Sequence, residues 1–233
     1  MIGSLSSAPR PSYRLIPSQF PPIGLFDTIA TAADAVAVME LTGWTNDRQV
    51  NDRITRLPED LWVYGRPNSS VIMGSFLHVA PGGMRFNRAE LGAWYAATEI
   101  QTAIAEVAHH LRRDAIASHA PRMSRTYRTY SSALVGDEYR DIRGLSAAQP
   151  EIYRSEAYAA AQDFGESVRS AGQCGIIYDS LRRRNGTNLV AFIPPNITDV
   201  IQTEHFEISV ESAAREILVR RLTLKPPIRR KKR

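Results

Sequence analysis

The chain has 233 residues, 43% of them hydrophobic and 23% charged, enough to build one substantial core or one domain with an extension. Its most apolar stretches, 34–41 and 188–195, fall far short of the roughly 20 residues a membrane helix needs, which excludes a spanning segment. The formal charge of +5 suggests nucleic acid, but five of the 29 basic residues are Arg229, Arg230, Lys231, Lys232 and Arg233, leaving 24 against 24 acidic ones, so DNA is expected to be met only indirectly.

Residues 1–25 carry Pro11, Pro17, Pro21 and Pro22 among serines and read as an extended or partly disordered arm without a secretory signal. Asp27 or Thr28 can cap a helix running to about Leu41, with Ile29, Ala33, Val36 and Met39 along one face and Gly43 as its stop. Leu61–Tyr64 and Val71–His78 are rich in β-branched and aromatic residues and read as strands, as does Ala93–Ala97. Thr98 and Gln101 form a capping box before a helix with a stripe of Ile100, Ile104, Val107 and Leu111. A strand near Tyr127–Leu134, a helix near Ser155–Ala171, strands at Gly175–Tyr178 and Asn188–Ile193, and a helix passing into a strand over Ala214–Leu224 complete the pattern. Strands and helices interleave without a βαβ rhythm, so the expected class is mixed α+β. Three parts are expected: an arm and helical extension over 1–60, a main domain over 61–224 and a basic tail over 225–233.

Cys174 is the only cysteine, which excludes an intrachain disulfide or thiolate cluster and fits a reducing cytoplasm. His109 and His110, adjacent on a helix, point about 100° apart and suit no shared metal, so no metal is expected. There is no phosphate-cradling loop ending in Gly-Lys-Ser/Thr, no Gly-x-Gly-x-x-Gly and no nucleophile elbow. Gly82-Gly83 before Arg85 can bring backbone and a guanidinium to an anion, or can be a plain hairpin turn. Glu106 lies off the apolar stripe, and of Trp94 and Tyr95 one must face the core.

Taken together, Gly82-Gly83-Met84-Arg85-Phe86-Asn87, Leu91-Gly92-Ala93-Trp94-Tyr95-Ala96-Ala97 and Thr102-Ala103-Ile104-Ala105-Glu106-Val107 resemble the RES domain. So does Gly175-Ile176-Ile177-Tyr178-Asp179-Ser180-Leu181-Arg182, followed by Gly186 and Val190-Ala191-Phe192, and the likeness spans about Leu61 to Pro195. The resemblance implies an ADP-ribosyltransferase-like core, and a cytoplasmic toxin that cleaves the nicotinamide–ribose bond of NAD and is blocked by an Xre-type antitoxin. NAD is then the substrate, with no further cofactor. Glu106, Tyr95 and Ser180 match the catalytic positions, and Arg66, Arg85, Asn87, Tyr95 and Ser155 the NAD-binding ones. The serine is open between Ser180 and Ser155, or the site is altered.

Two other readings stand beside this one. The same fold can transfer ADP-ribose to a protein. Alternatively, the chain is a non-enzymatic module that binds an antitoxin or nucleic acid through its arm and tail. The apolar helix near the N-terminus also allows a homodimer.

Overall fold

Strand β3 (Trp94–Ala97) shows how the protein sorts its side chains. Successive residues of a strand point to opposite faces. Trp94 and Ala96 join a core cluster on one face, while Tyr95 and Ala97 belong to clusters on the other. The structure is a computed structural model that describes residues 2–18, 24, 26–31, 33–38 and 52–223. Its strands form one sheet in the order β1-β5-β6-β7-β3-β2-β4-β8-β9. They are β1 (Ser4–Ser6), β2 (Ser12–Pro17), β3, β4 (Arg122–Leu134), β5 (Tyr139–Asp141), β6 (Gly175–Asp179), β7 (Thr187–Ala191), β8 (Ile197–Glu211) and β9 (Ile217–Leu222). Among the described residues only β5 and β6 pair in parallel; every other neighbouring pair is antiparallel. The fold is mixed α+β.

The helices that pack on the sheet around the site are α1 (Ser69–Leu77), α2 (Ile100–Ala117) and α3 (Ala159–Ser170). One face of the sheet packs α1 through Ile72, Met73 and Phe76 against Trp94, Tyr130, Leu134 and Ile177. The opposite face carries two clusters side by side. One gathers Ala161, Phe164 and Val168 of α3 with Phe86, Ile176, Tyr178 and Val190. The other gathers Ala103, Ala108 and Leu111 of α2 with Leu15, Ala97, Phe206 and Ile208. The floor between them is made by β2, β3 and β7, and the site described below lies there. Among the described residues no helix is long and apolar enough to cross a membrane.

Several expectations are corrected. Val71–His78 is helical rather than a strand, and Leu61–Tyr64 is the end of a short 3-10 turn (Glu59–Leu61) followed by coil. Asp27 does not start its own helix; its carboxylate accepts the backbone N–H groups of Asn68 and Ser70 at 2.9 and 2.8 Å, and so satisfies the start of α1 from afar. The local cap is Thr31, whose hydroxyl accepts the N–H of Asp34, and residues 33–38 are helical with Ala35, not Val36, as the buried position. Met39, Leu41 and Gly43 lie outside the described residues, as does the basic tail 225–233. The described part of the arm over 1–25 is paired in the sheet: β1 lies at one sheet edge, and β2 lies centrally between β3 and β4. Thr98 makes no capping box; its hydroxyl reaches the Thr187 carbonyl, and Glu99 holds the N-cap position of α2. The last helix starts at Ala159, not Ser155, and Ile217–Leu222 is strand with no helix before it.

Candidate active site

A cleft opens between α2 and the Met84–Arg85 loop with Tyr158 before α3, lined among others by Arg14, Arg85, Tyr95, Glu106, Tyr158, Tyr178, Arg182 and Asn188. Glu106 sits two turns into α2, on the helix side turned toward the end of β6 and the start of β7. Its Oε1 accepts two hydrogen bonds, from Ser180 Oγ and from Asn188 Nδ2, both at 2.7 Å. Asn188 is 4% exposed, so its amide is committed to this contact. Oε2 accepts no bond from the described residues and faces the cleft. The carboxylate is thus held through one oxygen and offered through the other.

The Ser180 hydroxyl is itself held. It accepts the backbone N–H groups of Arg182 and Arg183, each at 3.1 Å. A hydroxyl has two lone pairs and one proton. Both lone pairs are occupied, so the proton can only go to Glu106.

Tyr95 projects from β3 into the cleft while Trp94, its neighbour, is fully buried on the other face. Its hydroxyl accepts the N–H of Phe86 at 2.9 Å and donates to Asn87 Oδ1 at 2.8 Å. Burial pushes this phenol well above its usual range, so it stays protonated. Tyr95 therefore offers a ring rather than a base. Asn87 is fully buried; it orders the Gly82–Asn87 loop rather than touching the cleft, its amide donating to the carbonyls of Arg88 and Leu91. Gly83 adopts φ +71°, and a Cβ there would lie 2.3 Å from the Asn87 carbonyl oxygen, so glycine is required for this turn. Gln162 of α3 clasps the same loop through the carbonyls of Gly82 and Met84.

Arg85 lines the cleft, and its Nη1 donates to the carbonyls of Ile152 and Arg154. Its guanidinium lies 5.0 Å from the ring centre of Tyr158. Arg66 is not in this cleft. It precedes α1, on the far side of the sheet, and donates to the Ile197 carbonyl at 3.0 Å. Ser155 is half-buried before α3; its hydroxyl reaches only the carboxylate of Glu156, and it does not line the cleft. The serine that meets Glu106 is Ser180.

The arginine that sequence reasoning missed is Arg14. β2 and β3 pair at a single position, Tyr13 with Ala97. Beyond it the Tyr95 carbonyl lacks a strand partner, and Arg14 Nη1 donates to it at 2.9 Å. The guanidinium stacks on Trp94 at 4.9 Å, and its buried Nε has no protein acceptor. Burial lowers its pKa to about 10, which leaves it charged at neutral pH. Trp94 packs on the face opposite Tyr95 and the free Nε is sealed from solvent, so the guanidinium lies behind the floor of the cleft, which Arg14 helps to line at the gap between β2 and β3. Its signal in the sequence was a strand-like Tyr13-Arg14-Leu15-Ile16 framed by Pro11 and Pro17. Asn188 and Tyr158 were also missed, since neither residue type stands out without the register that brings it here.

A model of the RES domain matches residues 53–211, more than half of the chain. The chain belongs to the RES domain family. No curated protein matches it. Among solved structures, it is similar to a chain from the M. tuberculosis MbcT–MbcA toxin–antitoxin complex, at 16% identity and a TM-score of 0.40, with 57% of this chain and 74% of that one covered. The matched RES region begins after β2, so Arg14 reaches the floor of the cleft from a segment that precedes it.

His109 and His110 border the same cleft, one turn beyond Glu106. Burial, reinforced by Arg182, lowers the pKa of His109 to about 4, and burial also lowers that of His110 against the pull of Glu106. Both are neutral in the folded protein at neutral pH. A histidine whose folded pKa lies below its unfolded value of about 6.5 favours folding fully above that value and loses the contribution as pH falls. Urea midpoints are therefore expected to drop between about pH 6.5 and pH 4, with a shallower drop in His109→Gln. Equal slopes in the two proteins would show that His109 does not titrate in this way.

Proposed function

We propose that this RES domain cleaves the nicotinamide–ribose bond of NAD, and that it acts in the cytoplasm as the toxin of a toxin–antitoxin pair held in check by an Xre-type antitoxin. The observation that carries the reading is Glu106, fixed through Oε1 by Ser180 and Asn188 while Oε2 faces a cleft with arginines and tyrosines in its walls. Breaking that bond builds positive charge on the ribose, and a preorganised carboxylate stabilises such charge. Glu106 would supply it. Tyr95, Tyr158 and Tyr178 offer ring faces for the nicotinamide and adenine groups, and keep water from the reacting carbon. The free nitrogens of Arg85 would hold the diphosphate. The acceptor of the ADP-ribosyl group is water in the simplest form of the reaction.

The test is the NAD content of cells after brief induction of the chain and of its Glu106→Ala variant. A fast fall with the wild type alone supports the reading; unchanged NAD with soluble protein in both overturns it. Purified protein with NAD labelled in its adenylate half separates hydrolysis from ADP-ribosyl transfer, which would leave label on protein. Arg85→Met keeps an unbranched side chain at the cleft wall and removes the charge. It is expected to raise KM for NAD about tenfold to a hundredfold, the worth of a charge-assisted hydrogen bond of about 1.5–3 kcal/mol. An unchanged KM in initial-rate measurements would remove Arg85 from phosphate binding.

A further inference from the structure

The turn between β6 and β7, residues 180–186, lies along the first two turns of α2 and is tied to that helix at both ends. At one end Ser180 donates to Glu106. At the other, Arg183 Nη1 forms an ion pair with Glu99 at the N-cap of α2 and a hydrogen bond of 3.0 Å with the buried hydroxyl of Thr102. Glu99 and Glu106 are seven residues apart, about 10 Å along the helix axis. Within the turn, the N–H of Ser180 donates to the Gly186 carbonyl at 2.8 Å and the N–H of Gly186 to the Arg183 carbonyl at 3.0 Å. The backbone of Arg183 is therefore part of the hydrogen-bonded ring that also presents its N–H to Ser180 Oγ.

We propose that Arg183 is a positioning residue: by gripping Glu99 and Thr102 it fixes the β6–β7 turn so that Ser180 can donate only to Glu106. The proposal rests on the reading of Glu106 as the carboxylate that acts on NAD. The logic is geometric. The two N–H groups that fill the lone pairs of Ser180 belong to Arg182 and Arg183, so their direction depends on where the turn sits relative to α2. If the turn drifts from α2, the hydroxyl regains freedom to rotate, and Glu106 keeps one anchor, Asn188, in place of two. Catalysis is sensitive to such drift, since a displacement of about 1 Å can cost about a hundredfold in rate. Stability is less so. The ion pair is substantially exposed, at 35% for Arg183 and 50% for Glu99, so Glu99→Gln should leave the melting temperature close to wild type, while Arg183→Ala also takes a partner from the buried Thr102 hydroxyl and should lower it slightly. Arg183 does not line the cleft, so the binding of NAD should change little.

The experiment is steady-state NAD cleavage by the full chain, with Arg183→Ala, Glu99→Gln, the double variant and Arg183→Lys. Expected is a fall in kcat of about tenfold in each single variant, with KM within about twofold of wild type. The double variant should be no worse than Arg183→Ala alone, because Arg183→Ala already removes the contact that Glu99→Gln weakens. Arg183→Lys, which can still reach Glu99, should recover most of kcat. A wild-type kcat in Arg183→Ala, or a loss carried by KM alone, overturns the proposal. Amide hydrogen exchange at Arg182 and Arg183 tests the tie without reference to activity. Faster exchange confined to 181–186 in Arg183→Ala supports it, and unchanged protection overturns it. If the wild type does not consume NAD while exchange behaves as expected, the reading of Glu106 fails and the structural tie stands.

Discussion

Glu106→Gln is expected to lower NAD cleavage by about a hundredfold to a thousandfold while leaving the fold unchanged. Glutamine has the same shape as glutamate, and its amide oxygen can take the place of Oε1. Ser180 Oγ and Asn188 Nδ2 are both donors in the contacts at 2.7 Å, so both can donate to that amide oxygen as they do to the carboxylate. The side chain stays where it is, and only its charge is lost. The expected factor corresponds to about 3–4 kcal/mol of transition-state stabilisation, the range found when one preorganised electrostatic group is removed from an active site. KM should move little, because the positive charge on the ribose that Glu106 meets develops only in the transition state. Glu106→Ala is a less clean probe. It leaves the buried Asn188 amide without its acceptor, which costs about 1–3 kcal/mol of stability and mixes two effects. Full activity in Glu106→Gln, with an unchanged melting temperature, would remove the central role from this carboxylate.

How far the sequence carried the reading depends on what kind of signal each element leaves. The segment Val71–Leu77 was misread because every side of it is apolar or small: Ile72, Met73, Phe76 and Leu77 are buried along with Ser69 and Ser75, so no helical period shows. Its start is satisfied by Asp27, more than 40 residues earlier, and a cap supplied across the fold cannot be seen locally. β2 hid behind its prolines, although Pro11 precedes the strand and Pro17 ends it, positions where a missing N–H is tolerated. That misreading concealed Arg14 as well, since an arginine in a supposed arm gives no reason to expect a buried guanidinium. Glu106 and Tyr95 stand out in the sequence only through motifs that resemble a known family, and α2 and β3 bring both to the cleft. Arg66 is a candidate by resemblance alone, and topology places it behind the sheet. Ser180 was separated from Ser155 only by register: β7 lies between β6 and β3, and this brings the end of β6 to the helix that follows β3.

Gly165→Ala tests how the cleft is built, because here the expected sign runs against helix propensity. Alanine in place of glycine inside a helix is ordinarily favourable by about 0.8–1 kcal/mol. Gly165 is buried in the middle of α3, and a Cβ there would lie 2.0 Å from the carbonyl oxygen of Phe86 and 2.8 Å from its Cα. No flexible side chain can yield at that contact, only backbone. Either α3 moves away from the Gly82–Asn87 loop, or the loop moves and withdraws the Phe86 N–H from the Tyr95 hydroxyl. Overpacking of this kind costs about 1–3 kcal/mol, and contact with backbone puts it at the upper end. For a chain of this length, a net loss of about 2–3 kcal/mol lowers Tm by about 5–10 °C. Gly74→Ala in α1 is the matched control: its nearest neighbour is the His78 ring at 3.7 Å, an ordinary contact, so propensity should win and Tm should rise by a few degrees. NAD cleavage should fall in Gly165→Ala well below the temperature at which the protein unfolds, since the Tyr95 wall of the cleft is displaced before the core melts. Equal Tm shifts in the two variants would mean that α3 does not approach Phe86 as closely as the structure has it. A lowered Tm with intact activity would show that the Gly82–Asn87 loop can shift without disturbing Tyr95.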